Sequence, residues 1–375
     1  MRVALVHDYL TQLGGAERVL LNLMRAFPYA PVFTLAHDPQ QLPEFSGPRL
    51  KTSFLQRIPG ARRHHRYFPL LMPLAVEQFD LSDYDVVLSA SHSFGKGVVT
   101  SPQTLHISYC FTPTRYVWDD SHRYVREFSR SRFFQRLAPL GLSYIRIWDY
   151  YASARVDSYL TLSRYVAQRI KKYYHRAATV IAPPVEVDRF TVSEHDEGYY
   201  LVVSRLVPYK RIEIAIEACE RLGRRLKVAG TGPEAEVLKT LARQYGGRST
   251  SRTEFLGFVP DAQLPALYAG AKALLFPQEE DFGITPLEAA ASGKPTIAYG
   301  AGGALETIIP NVTGMLFYEQ SPQALSQAIT ASEQRRWERG VIRAHAERYR
   351  PQVFMDKITE FVHTEWLAFR QNTEP

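Results

Sequence analysis

The chain has 375 residues, of which 45% are hydrophobic and 22% are charged. That length is long for one hydrophobic core and natural for two domains of a globular protein. No apolar run approaches the roughly 18 residues of a membrane-spanning helix, and the start, M-R-V-A-L-V-H-D, predicts a strand rather than a signal peptide. Cys110 and Cys219 lie far apart in apolar surroundings, which predicts reduced core residues and a cytoplasmic location.

The surplus of basic over acidic residues comes entirely from the first half of the chain. Residues 1–182 hold 23 Lys+Arg against 13 Asp+Glu, whereas the remaining residues hold 22 against 25. This asymmetry favours an acidic partner for the first half, and phosphate, nucleic acid or anionic lipid would each satisfy it. The sequence lacks a recognisable helix-turn-helix, RRM or zinc signature, which argues against nucleic acid. No His/Cys cluster has metal-ligand spacing, so no metal site is predicted.

The first half alternates strand-like and helix-like segments. A strand at residues 2–7 precedes a helix that begins at Gly14, and further strands are predicted at residues 86–88, 105–110, 159–162 and 179–182. Apolar strands between helices predict a parallel sheet that is covered on both faces. The pair Pro183-Pro184 interrupts this pattern and predicts a linker over residues 183–190.

The second half repeats the same plan. Strands are predicted at residues 200–204, 226–229, 255–256, 273–276, 296–298 and 315–317. Helices are predicted at residues 212–221, 234–245, 263–269, after Thr285, and at 323–332 and 353–369. We therefore predict an α/β protein with two Rossmann-like domains, residues 1–182 and 191–350, whose parallel sheets face each other across a cleft. Such sheets bind ligands at the carboxyl ends of their strands.

Two cations follow the first predicted strand of the second half. Arg205 and Lys210 lie in the segment V-V-S-R-L-V-P-Y-K-R, between a strand and a helix. A planar guanidinium and an ammonium at the carboxyl end of a parallel strand are suited to bind a diphosphate. The alternative is two solvated basic residues in a surface loop.

Two carboxylates, Glu280 and Glu288, bracket a turn in the segment P-Q-E-E-D-F-G-I-T-P-L-E-A-A-A-S. One acid on a loop and another at a helix start can both reach a polyhydroxylated ligand in one cleft. Glu288 also fits a capping box in which Thr285 is the N-cap and Pro286 the first helical residue, and that role would explain it without a ligand. For Glu280 the alternative is a solvated loop charge.

Glycine turns and one histidine are further candidates. Gly14-Gly15 and G-T-G-P at residues 230–233 follow strands, where a missing Cβ lets the backbone approach a phosphate. A plain tight turn is the alternative for both. His92 follows a predicted strand of the first half and is expected at the carboxyl edge of that sheet, where it is either catalytic or a structural hydrogen-bonding residue. His7 and Asp8 end another strand.

The first half also contains segments in which aromatic or apolar side chains alternate with cations. Aromatic side chains surround Arg115 within residues 109–120 and suit either a sugar acceptor or packing between loops. Residues 57–76 and 130–148 combine cations with apolar side chains. That composition suits contact with anionic lipid, or a solvated face over a core.

Taken in order, these motifs resemble glycosyltransferase family 4, whose members have the GT-B fold. The matching segments are G-G-A-E-R at 14–18, His92, P-P-V-E-V-D-R-F at 183–190, S-R-L-V-P-Y-K-R at 204–211, G-T-G-P at 230–233 and E-D-F-G-I-T-P-L-E at 280–288. Within the family, S-A-S-H-S-F-G-K-G-V and Y-C-F-T-P-T-R-Y-V-W-D resemble bacterial mannosyltransferases that build surface polysaccharides and O-antigens from GDP-mannose. The chain departs from that subgroup in having Phe111 where His is usual.

The resemblance implies a role for each candidate. Arg205 and Lys210 would bind the donor diphosphate, Glu280 the hydroxyls of the transferred sugar, and Glu288 the ribose hydroxyls. His92 would orient the sugar and help to stabilise charge at the reacting centre. The other implied donor contacts are Gly15, Gly230, Gly257, Phe258, Val259, Phe282, Gly283, Ile284 and Thr285.

The resemblance also implies how the reaction proceeds. A hexose, mannose from GDP-mannose above all, would be transferred with retention of configuration to a glycan or lipid-linked acceptor, without a metal ion or a cofactor. The last helix, within residues 351–375, would cross back to the first domain, and the protein would be cytoplasmic and peripheral on the inner membrane face. The alternatives are a GT-B sugar-nucleotide epimerase and a basic nucleic-acid-binding protein.

Overall fold

The computed structural model describes residues 1–47, 49–60, 68–119, 121, 132–246 and 251–373. The chain divides into two compact units. Unit 1 comprises Met1–Pro183 together with Phe354–Pro375, and unit 2 comprises Pro184–Val353. Each unit is a parallel sheet with helices.

The sheet of unit 1 has seven parallel strands within the described residues. They are β1 (Val3–His7), β2 (Val32–Thr34), β3 (Leu50–Thr52), β4 (Val86–Ser91), β5 (Leu105–Cys110), β6 (Ser158–Thr161) and β7 (Thr179–Val180). Their spatial order is β3-β2-β1-β4-β5-β6-β7. The chain order therefore reverses between β1 and β4, and the carboxyl ends of these two strands form the topological switch point of unit 1.

Helices complete unit 1. They are α1 (Gly15–Ala26), α2 (Met72–Glu77), α3 (Arg115–Trp118), α4 (Arg132–Ala154) and α5 (Arg164–Tyr174). Every residue of β4 and of β5 is buried, as expected for parallel strands that are covered on both faces. α1 buries Val19, Leu20 and Leu23 and carries polar residues on its other side, which explains why this segment forms an amphipathic helix.

The sheet of unit 2 has six parallel strands among the residues described. They are β8 (Tyr199–Val203), β9 (Arg225–Ala229), β10 (Thr253–Gly257), β11 (Ala271–Phe276), β12 (Thr296–Tyr299) and β13 (Gly314–Phe317). Their spatial order is β10-β9-β8-β11-β12-β13. The switch point of unit 2 consequently lies between β8 and β11.

Seven helices of the described chain belong to unit 2. They are α6 (Ile212–Leu222), α7 (Ala235–Gly246), α8 (Leu264–Gly270), α9 (Ile284–Ala291), α10 (Ala304–Thr307), α11 (Pro322–Glu333) and α12 (Arg339–Glu347). α13 (Pro351–Thr373) begins in unit 2, and its residues from Phe354 onward belong to unit 1. There the ring of Phe354 packs edge-on against Tyr109 at 5.9 Å.

The predicted fold class is confirmed: both units are α/β, Rossmann-like and built on parallel sheets. The predicted linker differs from the structure, because residues 184–190 belong to unit 2 and bury Val185, Val187 and Phe190. The elements that were not predicted are β2, β3, the four helices α2 to α5 of unit 1, and α10 and α12 of unit 2. β2 and β3 have three residues each, too few to give a periodic pattern.

The two segments predicted to contact anionic lipid, residues 57–76 and 130–148, are only partly described, and so is the aromatic segment at residues 109–120. Residues 61–67 and 130–131 lie outside the described residues, as does Asp120 of the aromatic segment. In the part of the chain that is described, no helix has both the length and the apolar character needed to cross a membrane.

Candidate active site

A loop with two cations follows β8, on one side of the switch point of unit 2. After Arg205 the chain forms a single 3₁₀ turn, Pro208–Lys210. Arg211 then adopts the left-handed conformation with a φ of 53° and leads directly into α6. This conformation is uncommon for a residue other than glycine, and such outliers cluster at functional sites.

Lys210 forms an ion pair with Glu280, which lies on the loop after β11. Only 14% of the Lys210 side chain and 19% of the Glu280 side chain are exposed. Arg205 is exposed, and its Nη2 donates a hydrogen bond to the hydroxyl of Tyr209 at 2.9 Å. The ion pair therefore joins the two loops that flank the switch point, where open α/β sheets bind ligands.

The glycine turn after β9 supports the loop that carries Arg205. A Cβ atom at Gly230 would lie 1.8 Å from the carbonyl oxygen of Ser204, and one at Gly232 would lie 2.2 Å from the carbonyl oxygen of Leu206. Close packing of the chain on itself therefore requires both glycines. From the sequence alone, a glycine required by chain packing could not be distinguished from a glycine that lets a ligand approach the backbone.

Three of the implied donor contacts, Gly257, Phe258 and Val259, lie at the carboxyl end of β10, at the same edge of the sheet. Gly257 has a φ of 68°, and its carbonyl oxygen accepts a hydrogen bond from the amide of Gly230 at 2.7 Å. Phe258 is 77% exposed, and Val259 is half-buried. Gly230, Gly257 and Phe258 thus lie near the loop of Arg205.

A glycine-rich turn after β12 holds the loop of Glu280. The amide of Gly303 donates a hydrogen bond to the carbonyl oxygen of Glu280 at 2.7 Å, and a Cβ atom at Gly302 would lie 2.4 Å from the same oxygen. Phe282, on the same loop, is buried and packs edge-on against Tyr349 at 5.9 Å. Sequence reasoning missed this support, although G-A-G-G directly after a predicted strand was a usable signal.

The prediction that Thr285 caps a helix is wrong. α9 begins at Ile284, and its N-cap is Gly283, which has a φ of 99°. Glycine adopts this conformation at little cost, so the helix begins earlier than the hydroxyl pattern indicated. Glu288 is consequently the fifth residue of α9 and lies beyond the capping-box position.

Glu288 is held by a tyrosine of a neighbouring helix. Its side chain is buried, and Oε2 accepts a hydrogen bond from the hydroxyl of Tyr268 on α8 at 2.8 Å. Tyr268 is fully buried and packs edge-on against Phe190 at 5.6 Å. A buried carboxylate requires partners of this kind. The role of Glu288 toward a ligand stays a prediction.

A second charged pair joins the loops at the switch point of unit 1. Asp8 directly follows β1, and His92 directly follows β4. His92 Nδ1 lies 3.0 Å from Oδ2 of Asp8, and the His92 side chain is 36% exposed whereas that of Asp8 is fully buried. The structure therefore shows that Asp8 is the ion-pair partner of His92, which the sequence did not predict.

Asp8 organises the whole turn that follows β4. Its carboxylate accepts hydrogen bonds at 2.6–3.1 Å from the Ser91 hydroxyl and from the backbone amides of His92, Ser93, Phe94 and Gly95. Burial alone would raise the pKa of Asp8, but His92, His7 and the Gly95 amide outweigh it and hold the pKa of Asp8 well below its usual range. Burial disfavours the charged form of His92, yet the Asp8 carboxylate prevails and raises the pKa of His92.

The start of α1 lies beside this turn, at the carboxyl end of β1. Gly15 is the first residue of α1 and is exposed. The amide of Gly14 donates to Oε2 of Glu17 at 2.7 Å, and Oε1 of Glu17 lies 3.6 Å from Nε2 of His7. Burial would raise the pKa of Glu17, but His7 lowers it. Phe111 packs edge-on against His7 at 6.4 Å.

The aromatic segment packs against the turn of His92. Arg115 begins α3, and the hydroxyl of Tyr116 lies 3.0 Å from Oγ of Ser93. The structure therefore shows packing between loops, which was one of the two alternatives for residues 109–120. Binding of an acceptor stays a prediction.

A cavity of about 520 Å³ in unit 2 lies at the opposite edge of the sheet. Lys272 and Lys294, at the beginning of β11 and before β12, line it, so it is separate from the loops at the switch point. Among the described residues, no group of three or more His, Cys, Asp or Glu side chains is arranged to hold a metal ion.

Comparison with known proteins identifies the family. Residues 13–189 match the family model "Glycosyltransferase Family 4", and residues 186–363 match "Glycosyl transferases group 1". The GDP-mannose-dependent alpha-(1-6)-phosphatidylinositol monomannoside mannosyltransferase of Mycobacterium tuberculosis is 31% identical over 195 residues, which are 45% of this chain and 50% of that protein. The chain thus spans about half the length of this curated relative.

Solved structures share the fold across nearly the whole chain. Sucrose-phosphate synthase from Thermosynechococcus elongatus has a TM-score of 0.74 at 17% identity and covers 97% of this chain and 100% of its own. HepE of Anabaena, solved in complex with UDP, has a TM-score of 0.68 at 18% identity with the same coverage. Two Rossmann-like units, matched in chain order by two family models that together span residues 13–363, show that the chain belongs to glycosyltransferase family 4 and has the GT-B fold.

Proposed function

We propose that the protein is a retaining glycosyltransferase that transfers mannose from GDP-mannose to a lipid-linked glycan. The observation that carries this proposal is the Lys210–Glu280 pair at the switch point of unit 2. An ammonium group binds diphosphate oxygens, and a carboxylate beside it accepts hydrogen bonds from sugar hydroxyls. The pair therefore supplies the two groups that recognition of a sugar nucleotide requires.

The proposed chemistry is electrostatic. When the bond between the sugar and the diphosphate breaks, negative charge accumulates on the leaving diphosphate. Arg205 and Lys210 would stabilise that charge, and this kind of stabilisation is often the largest part of catalysis. The leaving phosphate would accept the proton of the acceptor hydroxyl on the same face of the sugar, so no protein nucleophile, metal ion or cofactor is needed. His92, held by Asp8, would donate a hydrogen bond to a sugar hydroxyl.

The choice of donor rests on the relatives. The mycobacterial relative is GDP-mannose-dependent by its name, which supports GDP-mannose. HepE was solved with UDP, which supports a UDP-hexose as the second candidate. Gly257, Phe258 and Val259 would contact the base of either donor.

The acceptor is proposed from the charge of the chain and from the same relative. That relative acts on a phosphatidylinositol mannoside by its name, and the basic surplus of residues 1–182 favours an acidic, lipid-linked acceptor here as well. The protein would work as a peripheral enzyme on the cytoplasmic face of the membrane.

Thermal shift with GDP, UDP and ADP, followed by assay of the matching sugar nucleotides, tests the proposal. A cognate nucleotide at about 100 times its dissociation constant adds about 2.7 kcal/mol of stability. GDP stabilisation, mannose transfer to a membrane lipid extract in the presence of EDTA, and an unchanged anomeric configuration by NMR would support the full proposal. Stabilisation by none of the nucleotides, or an isomerised sugar nucleotide formed from donor alone, would contradict it.

A further inference from the structure

α4 carries an apolar stripe that the rest of the described chain leaves exposed. Its inner side is buried in unit 1, with Leu142 and Ile145 in the core. Its outer side exposes, at 48–70%, the side chains of Leu137, Leu140, Tyr144, Ile147 and Tyr151. These positions are three and four residues apart and therefore form one stripe along the helix. The outer side of a surface helix is ordinarily polar, so this stripe indicates an interaction surface.

The stripe continues onto the segment that starts α2. Leu70, Leu71 and Leu74 are 37–51% exposed, although their neighbours Met72, Ala75 and Val76 are buried in the core. A Cβ atom at Gly141 of α4 would lie 3.7 Å from Cδ2 of Leu70, so the two segments are adjacent. We call these residues and the stripe together the α4 apolar surface.

The charges on this surface identify its partner. Residues 136–154 contain one acid, Asp149, which is buried in an ion pair with Lys96. Glu77, at the end of α2, is paired with Arg155. Arg136 is exposed beside Leu137. A second copy of this surface would therefore offer no carboxylate on its stripe to pair with Arg136, whereas an anionic bilayer offers both acyl chains and negative charge.

We propose that the α4 apolar surface docks the protein on an anionic lipid bilayer. α4 would lie in the plane of the interface, with its leucines and Ile147 among the acyl chains. Tyr144 and Tyr151 would lie at the level of the headgroups, because a tyrosine ring is apolar and its hydroxyl is polar. The proposal rests on the proposed function in one respect: a lipid-linked acceptor places the reaction at such a surface.

Flotation of the full chain with vesicles tests this docking directly. The probes are vesicles of phosphatidylglycerol with phosphatidylcholine, and vesicles of phosphatidylcholine alone. The double variant L140E/I147E introduces two carboxylates into the stripe. The matched control V237E/V341E makes the same change at exposed valines on α7 and α12 of unit 2. Both variants should melt close to the wild-type temperature, since all four side chains are exposed.

The expected result is binding of the wild type and the control to the anionic vesicles. L140E/I147E should bind at least about tenfold more weakly, because inserted apolar groups are replaced by charges. Equal binding of L140E/I147E and wild type would overturn the proposal. So would a wild-type dimer in light scattering that L140E/I147E converts to a monomer while neither protein binds vesicles, since the surface would then join two copies.

Docking and catalysis can fail separately in this design. Flotation requires neither donor nor acceptor, so the E280Q variant should bind vesicles like wild type even if no sugar is transferred. Conversely, L140E/I147E should release nucleotide from the donor with a soluble acceptor analogue at the wild-type rate. If the wild type fails to float with anionic vesicles although it turns over donor, docking alone is refuted, and if it floats without turning over donor, the proposed enzyme alone is refuted.

Discussion

The carboxylate of Asp8 lies 3.0 Å from the imidazole of His92, across the switch point of unit 1. Lys210 and Glu280 occupy the corresponding positions in unit 2, after the first and fourth strands of that sheet. The signs are reversed: the acid follows the first strand in unit 1 and the fourth strand in unit 2. In each sheet, a charged pair thus fixes the two loops at the point where the chain order reverses.

The first prediction concerns the pH dependence of the Asp8–His92 pair. Because the pKa of His92 is raised in the folded protein, its contribution to stability is fully present below the unfolded pKa of about 6.5 and is lost as pH rises through the folded pKa. Urea unfolding of wild type and His92→Gln at a series of pH values should therefore show a stability difference that shrinks as pH rises.

His345→Gln is the control, because burial lowers the pKa of His345. The stabilising contribution of His345 is present above about 6.5 and is lost as pH falls, so its dependence has the opposite sign. A difference between wild type and His92→Gln that does not change with pH would contradict the ion pair.

Lys210→Ala should weaken the binding of a nucleoside diphosphate. The ammonium would lose a charge-assisted hydrogen bond of about 1.5–3 kcal/mol, which corresponds to a roughly 10- to 150-fold higher dissociation constant. Calorimetric titration with GDP and UDP measures the change. Lys239→Ala, on the surface of α7 beside Glu236, should bind like wild type. Equal affinity of Lys210→Ala and wild type would remove Lys210 from the site.

Glu280→Gln should separate binding from turnover. Loss of a carboxylate beside Lys210 removes a negative charge near the bound diphosphate, so affinity for the nucleoside diphosphate should stay equal or increase. Transfer should fall strongly, because Glu280 is proposed to hold the sugar. Calorimetry with the nucleotide and a nucleotide-release assay measure the two effects. If Glu280→Gln turns over at the wild-type rate, or binds the nucleotide more weakly, the proposed role of Glu280 in holding the sugar would be contradicted.

The sequence predicted the sheets better than the details of the site. Continuous apolar strands such as Leu105–Cys110 were identified at their observed bounds, because burial on both faces leaves a clear pattern. The Lys210–Glu280 pair was not predicted as a pair, since 70 residues separate its members. Only the strand order, which periodicity does not encode, brings their loops together.

The start of α9 and the role of Asp8 were missed for local reasons. Thr285 and Glu288 satisfy a capping-box pattern, but Gly283 adopts a positive φ and starts the helix sooner. Asp8 is one of 13 acids in residues 1–182. Nothing in its neighbours indicates that it accepts hydrogen bonds from a turn more than 80 residues away.

Tyr268→Phe should lower both stability and donor affinity. It removes the hydrogen bond to the buried Glu288 carboxylate, at a cost of about 1.5–3 kcal/mol, and releases a side chain that is proposed to bind the ribose. Tyr200→Phe is a matched control, because Tyr200 donates to Glu333 at 2.9 Å near the opposite edge of the sheet. It should lower stability and leave the donor KM unchanged. Equal effects of both variants on KM would refute a ligand role for Glu288.

Lys96→Met should destabilise unit 1 strongly. The ammonium of Lys96 lies 2.5 Å from Asp149 and 2.5 Å from the carbonyl oxygen of Ser93, and the side chains of Lys96 and Asp149 are almost fully buried. The hydroxyls of Thr114 and Tyr174 and the indole of Trp118 also donate to Asp149. Removal of the cation leaves a buried carboxylate without its charge partner, which costs about 3–5 kcal/mol.

Because Ser93 directly follows His92, the same variant should also disturb the imidazole. Urea unfolding measures the loss of stability, and the NMR titration of His92 measures the change in its surroundings. Lys239→Met, which breaks an exposed pair with Glu236, should cost no more than about 1 kcal/mol. A loss of that small size for Lys96→Met would mean that the carboxylate of Asp149 is stabilised by its neutral donors alone, and that the turn of His92 does not depend on this ion pair.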